Sequence, residues 1–273
     1  MKFDLHIHSR HSHDSCSSVK NIIEKAKNRG LQGISITDHN SFNGSEEALM
    51  IAPKDMIIIP GVEYSTDQGH FLVYFLNKGL ENQGLARDSR GRFNWKELTI
   101  AAHDQNALVF VAHPYKYSKK HDSEIWNHID GIEVYNSRAS LCRNVHANPQ
   151  ALEALSTYKK PFSAGSDSHW LGEVGNAYWE CDILNETNST EILQKIKSSL
   201  MDGTGRVWGS ATHRLYEPAS QIYKGIKSSK YILTVKPILK MIYSLVLECS
   251  RISGFGKKAC EGWIDIESRK GGN

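Results

Sequence analysis

The chain has 273 residues, 40% hydrophobic and 23% charged, with a net charge of +3. That length suits one large domain, or one domain with an appendage, around a substantial core; the composition is that of an ordinary soluble protein, and so small a charge makes no case for nucleic acid. Five cysteines (Cys16, Cys142, Cys181, Cys249 and Cys260) are odd in number and never spaced as CxxC, a pattern that offers neither a disulfide framework nor a zinc ribbon and suits a reducing, cytoplasmic compartment. Met1-Lys2-Phe3-Asp4 leads into a charged strand rather than an apolar stretch of about 7–15 residues, so no secretory leader is expected.

Residues 3–7 read as a strand whose alternation sends His6 and His8 to one side while Leu5 and Ile7 point into packing. His6, His8, His11, His13 and Asp14 then fall within nine residues, a cluster costly to bury unless it binds something, and a metal ion is the natural partner. After Ser17-Ser18, a helix cap, Val19, Ile22, Ile23 and Ala26 mark the apolar face of a helix ending at Gly30. Residues 33–37 form a short strand with Asp38-His39-Asn40 at its end, giving a βα unit that feeds a parallel strand.

Residues 44–52 read as helix, 56–60 as a buried strand leading to Gly61-Val62-Glu63, and 71–75 as another strand just after His70. A polar loop over 77–92 precedes a helix over 95–105 and a strand over 108–112 that ends in His113-Pro114. A strand over 131–135 is followed by a helix at about 148–157, by Pro161–Ala164 running into Gly165-Ser166-Asp167-Ser168-His169, and by a closing helix around Ile192–Leu200. The theme is a short apolar strand with His, Asp or Glu at its C-terminal end, the rim where α/β barrels place their chemistry.

Residues 211–273 carry eleven Lys/Arg against five Asp/Glu, a charge of +6, whereas residues 1–210 sum to −3. Tyr231–Cys249 is largely apolar, but Lys236, Pro237 and Lys240 interrupt it, which rejects a membrane-spanning helix of roughly 20 apolar residues. An amphipathic helix packed on the barrel or on a second subunit is one reading; a basic helix lying on membrane or nucleic-acid phosphates is the other.

Taken in order, DLHIHS, ITDHN, GVE, AHP, IEVYN and GSDSH resemble the motifs of the PHP (polymerase and histidinol phosphatase) superfamily over roughly residues 1–205, most closely its stand-alone phosphoesterase branch. The resemblance implies an α/β fold, a distorted (β/α)7 barrel occupying residues 1–210, with residues 211–273 as a basic, partly helical extension. It implies up to three divalent metals: the first held by His6, His8, Glu63 and Asp167, the second by Glu63, His70 and His113, the third by Asp14, His39 and His169. His13 is the rival to Asp14. Asp38 either orients His39 or caps the following helix. Asn136 and Arg138, with Lys116 as a second cation, are candidates to contact phosphate or base, Arg138 for its planar fork; each could equally be solvated and inert.

Imidazoles mixed with carboxylates suit Zn, Mn or Fe better than Mg. No Ser-type nucleophile elbow, P-loop or dinucleotide fingerprint is present. The reading is therefore hydrolysis of a phosphate monoester by a metal-activated water, with Asp14, His39 and His169 placed nearest the reaction. A small metabolite or nucleotide is the expected substrate, for example a nucleoside 3′,5′-bisphosphate or the 5′ end of a short oligonucleotide. The alternatives are a histidinol-phosphate phosphatase and a non-catalytic PHP scaffold; the full ligand set favours an enzyme.

Overall fold

The computed structural model describes residues 1–116, 121–141, 146–183, 189–252, 261–264 and 266. In chain order, β1 (Lys2–Ile7), α1 (Val19–Asn28), β2 (Gly33–Ile36), α2 (Asn43–Ile51) and β3 (Ile57–Ile58) alternate strand and helix, with the three strands parallel. The hairpin β4 (Gly61–Thr66) and β5 (Gly69–Tyr74) follows, then α3 (Trp95–His103), β6 (Leu108–Val111), α4 (Ile125–His128) and β7 (Gly131–Asn136). The chain continues through α5 (Ala147–Tyr158), β8 (Phe162–Gly165), β9 (Ala177–Glu180), α6 (Ser189–Met201) and β10 (Arg206–Ser210). It ends with α7 (Tyr216–Lys227), a 3-10 turn (Tyr231–Thr234), α8 (Val235–Ile252) and β11 (Glu261–Ile264).

Local chemistry accounts for the boundaries. The Ser18 hydroxyl accepts the Asn21 amide at 3.3 Å, capping α1, and Val19, Ile22, Ile23 and Ala26 form its buried face. Asn94 caps α3 by accepting the Lys96 and Glu97 amides. The strand expected over 56–60 shrinks to two residues, because Pro60 has no amide to extend the ladder. His70, expected just outside a strand, lies within β5 opposite Ser65. Strands β9 and β10 had no counterpart in the sequence reading. Each is only four or five residues long, too short to show a period, although Trp179 and Val207 are fully buried.

The strands form two sheets, a six-stranded one in the order β11-β10-β9-β1-β2-β3 and a five-stranded one in the order β4-β5-β6-β7-β8. The expected barrel is corrected in this respect: among the described residues no continuous ladder closes a ring. At two seams a single parallel bridge joins the sheets, Ile7 with Ser168 and His39 with Glu63. The ladders stop there because the backbone turns into the left-handed region at Asn40 (φ 52°) and Asp167 (φ 55°), and the β1 register shifts between Asp4 and Ile7. A large apolar cluster fills the space around β4–β8, and a smaller one packs α1 and α2 on β1 and β2.

Asp4, fully buried within β1, ties the N-terminal strand to the far end of the chain. Its carboxylate accepts the Ser166 amide at 2.9 Å and the Gly175 amide at 2.8 Å. Burial pushes this carboxyl up to about 6, and the hydrogen bonds from Ser166, Gly175 and His6 oppose the rise. At the C-terminal end, β11 pairs antiparallel with β10. Cys16 is exposed and Cys181 buried, both as free thiols; Cys142, Cys260 and the Cys249 side chain lie outside the described residues. The amphipathic helix expected in the tail forms as α8. It packs on α7, and no helix among the described residues is long and apolar enough to cross a membrane.

Gly165 sets how closely β8 approaches β1. A Cβ there would lie 2.3 Å from His6 Cβ and 2.6 Å from its amide nitrogen. Gly165→Ala is expected to destabilise the fold by roughly 1–3 kcal/mol, the usual cost of overpacking, read as a lowered midpoint in urea denaturation.

Candidate metal centre

All nine side chains expected as ligands converge at the strand ends. Their donor atoms fall into four overlapping groups, each with members within 4.8 Å of one another: His8, Asp14, His39 and His169; His6, Glu63 and His113; His6, His8 and Asp167; and His39, Glu63 and His70. Strand β1 supplies His6 and the residue after it supplies His8; β4 supplies Glu63, β5 His70, and the turns after β2, β6 and β8 supply His39, His113, and Asp167 with His169. Asp14 comes from the loop after β1. Its neighbour His13 is half exposed and falls in none of these groups, whereas Asp14 Oδ2 lies 3.4 Å from His39 Nε2 and 3.3 Å from His169 Nε2.

Glu63 is the hub. Its Oε1 accepts from His70 Nδ1 at 2.7 Å and His113 Nε2 at 3.1 Å. Its Oε2 sits 3.0, 3.2 and 3.3 Å from ring nitrogens of His39, His8 and His6, yet makes no hydrogen bond. Buried polar atoms without partners are rare and ask for an explanation. His6 Nδ1–H donates to Glu133 at 2.8 Å, so in the neutral ring Nε2 carries a lone pair, and that atom faces His8 Nε2 at 3.1 Å. In the His8 tautomer whose Nδ1–H donates to Ser12 Oγ, both nitrogens present lone pairs to a shared cation.

A cation fits these donors. Metal–nitrogen bonds of about 2.0–2.1 Å in a tetrahedron place ligand atoms ~3.3 Å apart. Across His6, His8, Glu63 and Asp167 the contacts run from 3.1 to 3.7 Å. The mixed imidazole and carboxylate set suits Zn, Mn or Fe.

Electrostatics prepare the carboxylates as ligands. Burial raises Glu63, but the imidazoles of His39, His70 and His6 outweigh it and hold the carboxyl well below its ordinary range. Burial likewise raises Asp167, and Lys116 and His6 more than reverse it; burial raises Asp14 while His169 and His39 pull it down. Burial pushes the His169 ring down to about 4, with Arg138 adding to the effect, leaving it neutral as a ligand must be. Burial lowers His39 too, but Glu63 and Asp14 lift it to about 10: the pocket is negative enough to capture a proton where a cation would otherwise compensate it.

A second layer aims these groups. Glu133 also accepts the His113 amide at 2.7 Å. Ser12 Oγ meets His8 Nδ1 at 3.0 Å and accepts the His39 amide at 2.8 Å. Glu173 accepts the amides of His169 and Trp170 at 3.0 and 3.2 Å. Asp38 neither orients His39 nor caps α2; it accepts the amide and hydroxyl of Ser9, both at 2.6 Å. Glu133 belongs to the IEVYN motif, where the sequence gives it no role of its own. Glu173 carries no such signal, because it lies in a turn with no periodicity.

The three candidate substrate contacts part company. Lys116 reaches the centre, its Nζ 2.7 Å from Asp167 Oδ2. Arg138, the favoured phosphate ligand in the sequence reading, is buried with its fork on Glu173 at 2.9 and 2.7 Å and its Nη1 on Ser220 at 2.9 Å. That expectation is corrected, since gripping phosphate would break a buried ion pair. Asn136 is fully buried too, donating to Glu133 and accepting the Ala139 amide. His11, a member of the N-terminal histidine cluster, pairs with Glu47 at 2.6 Å. Beside His70 and His113 an open depression of about 190 Å3 is lined also by Gln68, Arg92 and His121.

Strand-end donors of this kind on an open α/β scaffold define the PHP class, and the PHP domain matches residues 4–251. The chain belongs to the PHP domain family. It is 30% identical over 195 residues to an uncharacterised protein of Methanocaldococcus jannaschii, covering 68% of this chain and 72% of that one. Among solved structures it resembles a two-domain protein of Bacteroides vulgatus that contains a predicted PHP-like metal-dependent phosphoesterase (20% identity, TM-score 0.60), over 77% of this chain and 64% of that one. It also resembles PsfC of Pseudomonas syringae (16% identity, TM-score 0.56), over 90% of this chain and 98% of that one. The chain thus spans just under two thirds of the Bacteroides protein, and both likenesses speak to the fold.

Glu133→Gln keeps the shape of the side chain and removes the charge behind His6. It is expected to weaken metal affinity roughly 10–100-fold, as loss of a ligand's orienting carboxylate does, measured by competition with a chromogenic chelator.

Proposed function

We propose that this chain is a metal-dependent phosphoesterase that hydrolyses the phosphate monoester of a small metabolite or nucleotide, such as a nucleoside 3′,5′-bisphosphate or the 5′ end of a short oligonucleotide. The observation that carries the reading is Glu63 Oε2, buried and unbonded among three imidazole nitrogens, with the remaining ligand candidates gathered around it. Membership of the PHP family and the phosphoesterase named in the Bacteroides structure support it. Divalent ions bound there would polarise phosphoryl oxygens and lower the pKa of an attacking water.

The residues divide the remaining work. His6, His8, Glu63 and Asp167 would hold the first ion, Glu63, His70 and His113 the second, and Asp14, His39 and His169 the third. The bridges at the two seams support a ring of seven strands, β1, β2 and β4–β8, as the finer description of the scaffold. Lys116 is the cation we place against a phosphoryl oxygen, released from Asp167 when that carboxylate turns to a metal. The depression beside His70 and His113 offers room for the leaving group. Water adds to phosphorus, the ester P–O bond breaks, and the departing oxygen takes a proton. The scattered free thiols favour a cytoplasmic setting.

The test is a phosphatase screen over bisphosphate nucleotides, short oligonucleotides and histidinol phosphate with Mn or Zn added, beside elemental analysis of the purified protein. Bound metal and turnover are expected. Asp167→Asn and His39→Ala should each abolish turnover with the circular dichroism spectrum retained, while Lys116→Ala should lower it at least tenfold, about 1.4 kcal/mol of transition-state stabilisation. Absence of metal and of turnover on every substrate would leave a scaffold as the better description.

A further inference from the structure

The apolar side of α8 and of the turn before it faces solvent. Val235, Ile238, Leu239, Ile242, Tyr243, Leu245 and Val246 are all exposed, Leu239 and Val246 by 62% and 61%, and Ile232 in the preceding turn by 81%. At 3.6 residues per turn these seven helical positions fall within an arc of about 160°. Ser244, on the opposite side, is buried, and that side packs on α7, where Lys240 pairs with Glu217 at 2.5 Å. The helix is held at both ends, by α7 before it and by β11, which returns to pair with β10.

Charge follows the same segment. Between Glu217 and Glu248 the chain carries Lys224, Lys227, Lys230, Lys236 and Lys240 and no acidic residue. Lys236 borders the apolar arc, and Lys230 opens the turn that carries Ile232. A second copy of the chain would bring matching rows of lysine together. A nucleic acid would satisfy the lysines and leave seven large apolar side chains wet. An anionic lipid surface satisfies both, taking the arc into the acyl boundary and the lysines at the headgroups. At this length and charge the helix lies on such a surface and does not cross it.

We propose that α8 and the turn before it are a docking surface for an anionic membrane, which holds the PHP domain at the lipid face. The experiment is cosedimentation of the full chain with vesicles of phosphatidylcholine alone and of phosphatidylcholine mixed with phosphatidylserine. Partitioning onto the mixed vesicles should be stronger by roughly thirtyfold, given two lysines at the surface, and should fall with added salt. Ile242→Glu with Val246→Glu should reduce binding to background, and Lys230→Glu with Lys236→Glu should remove the preference for phosphatidylserine. Both variants should keep the circular dichroism spectrum and metal content. No vesicle-bound fraction overturns the proposal; so does equal binding to both compositions, or binding that survives the Ile242/Val246 pair. A dimer in light scattering that this pair splits, without vesicle binding, would assign the face to a second copy instead.

Discussion

A carboxylate wholly buried, with five imidazoles against it, is the constraint on which this molecule turns. Glu63 is fully buried, and burying an ionised carboxylate alone is prohibitively costly. It is tolerated here because His70 and His113 donate to one oxygen while His6, His8 and His39 crowd the other. Those rings arrive from four different stretches of chain, so satisfying one charge requires both sheets to be in place. The centre and the fold are therefore one problem. Shift a strand by one residue and its ligand turns to the opposite face.

The support behind the donors is as specific as the donors. Every buried acid around them holds something in place. Glu133 fixes the tautomer of His6 and the backbone of His113, Asp4 anchors the loop before Asp167, and Glu173 holds the His169 backbone. Arg138 and Thr212 close the shell around Glu173, and Lys227 on α7 bonds the carbonyls of Arg10 and Ser12 in the ligand loop. Backbone conformation is enlisted too. Asn40, His113 and Asp167 take positive φ angles, a conformation that costs free energy and persists where the surroundings over-determine it. All three lie at or beside candidate ligands.

Much of this could be read from residue order, and the reason is physical. A metal ligand at the end of an apolar strand leaves a local mark, so His6, His8, Glu63, His113 and Asp167 were visible as donors, and the helices with clear apolar faces, such as α1, emerged with near-correct bounds. What stayed hidden depends on partners distant in sequence. Arg138 looks like a phosphate ligand until Glu173, an unremarked turn residue, is placed against it. Strands β9 and β10 are too short to declare a period. The seams between the sheets depend on left-handed turns at Asn40 and Asp167, which neither residue type announces. Asp38 has the chemistry for either role expected of it, and geometry hands it instead to Ser9.

The placement of β1 has a further consequence for how the molecule comes into being. Its Asp4 bonds Ser166, a separation of 162 positions, and its other neighbour, β9, lies beyond that. On a ribosome the first strand emerges early with β2 as its available parallel neighbour, and parallel pairing of distant segments is slow. The β4–β5 hairpin can close locally, but the edge that seats His6 beside Asp167 must wait until more than half the chain has followed. Synthesis therefore leaves one edge of β1 in need of protection from wrong partners, and assembly of the candidate ligand set becomes a late act of folding.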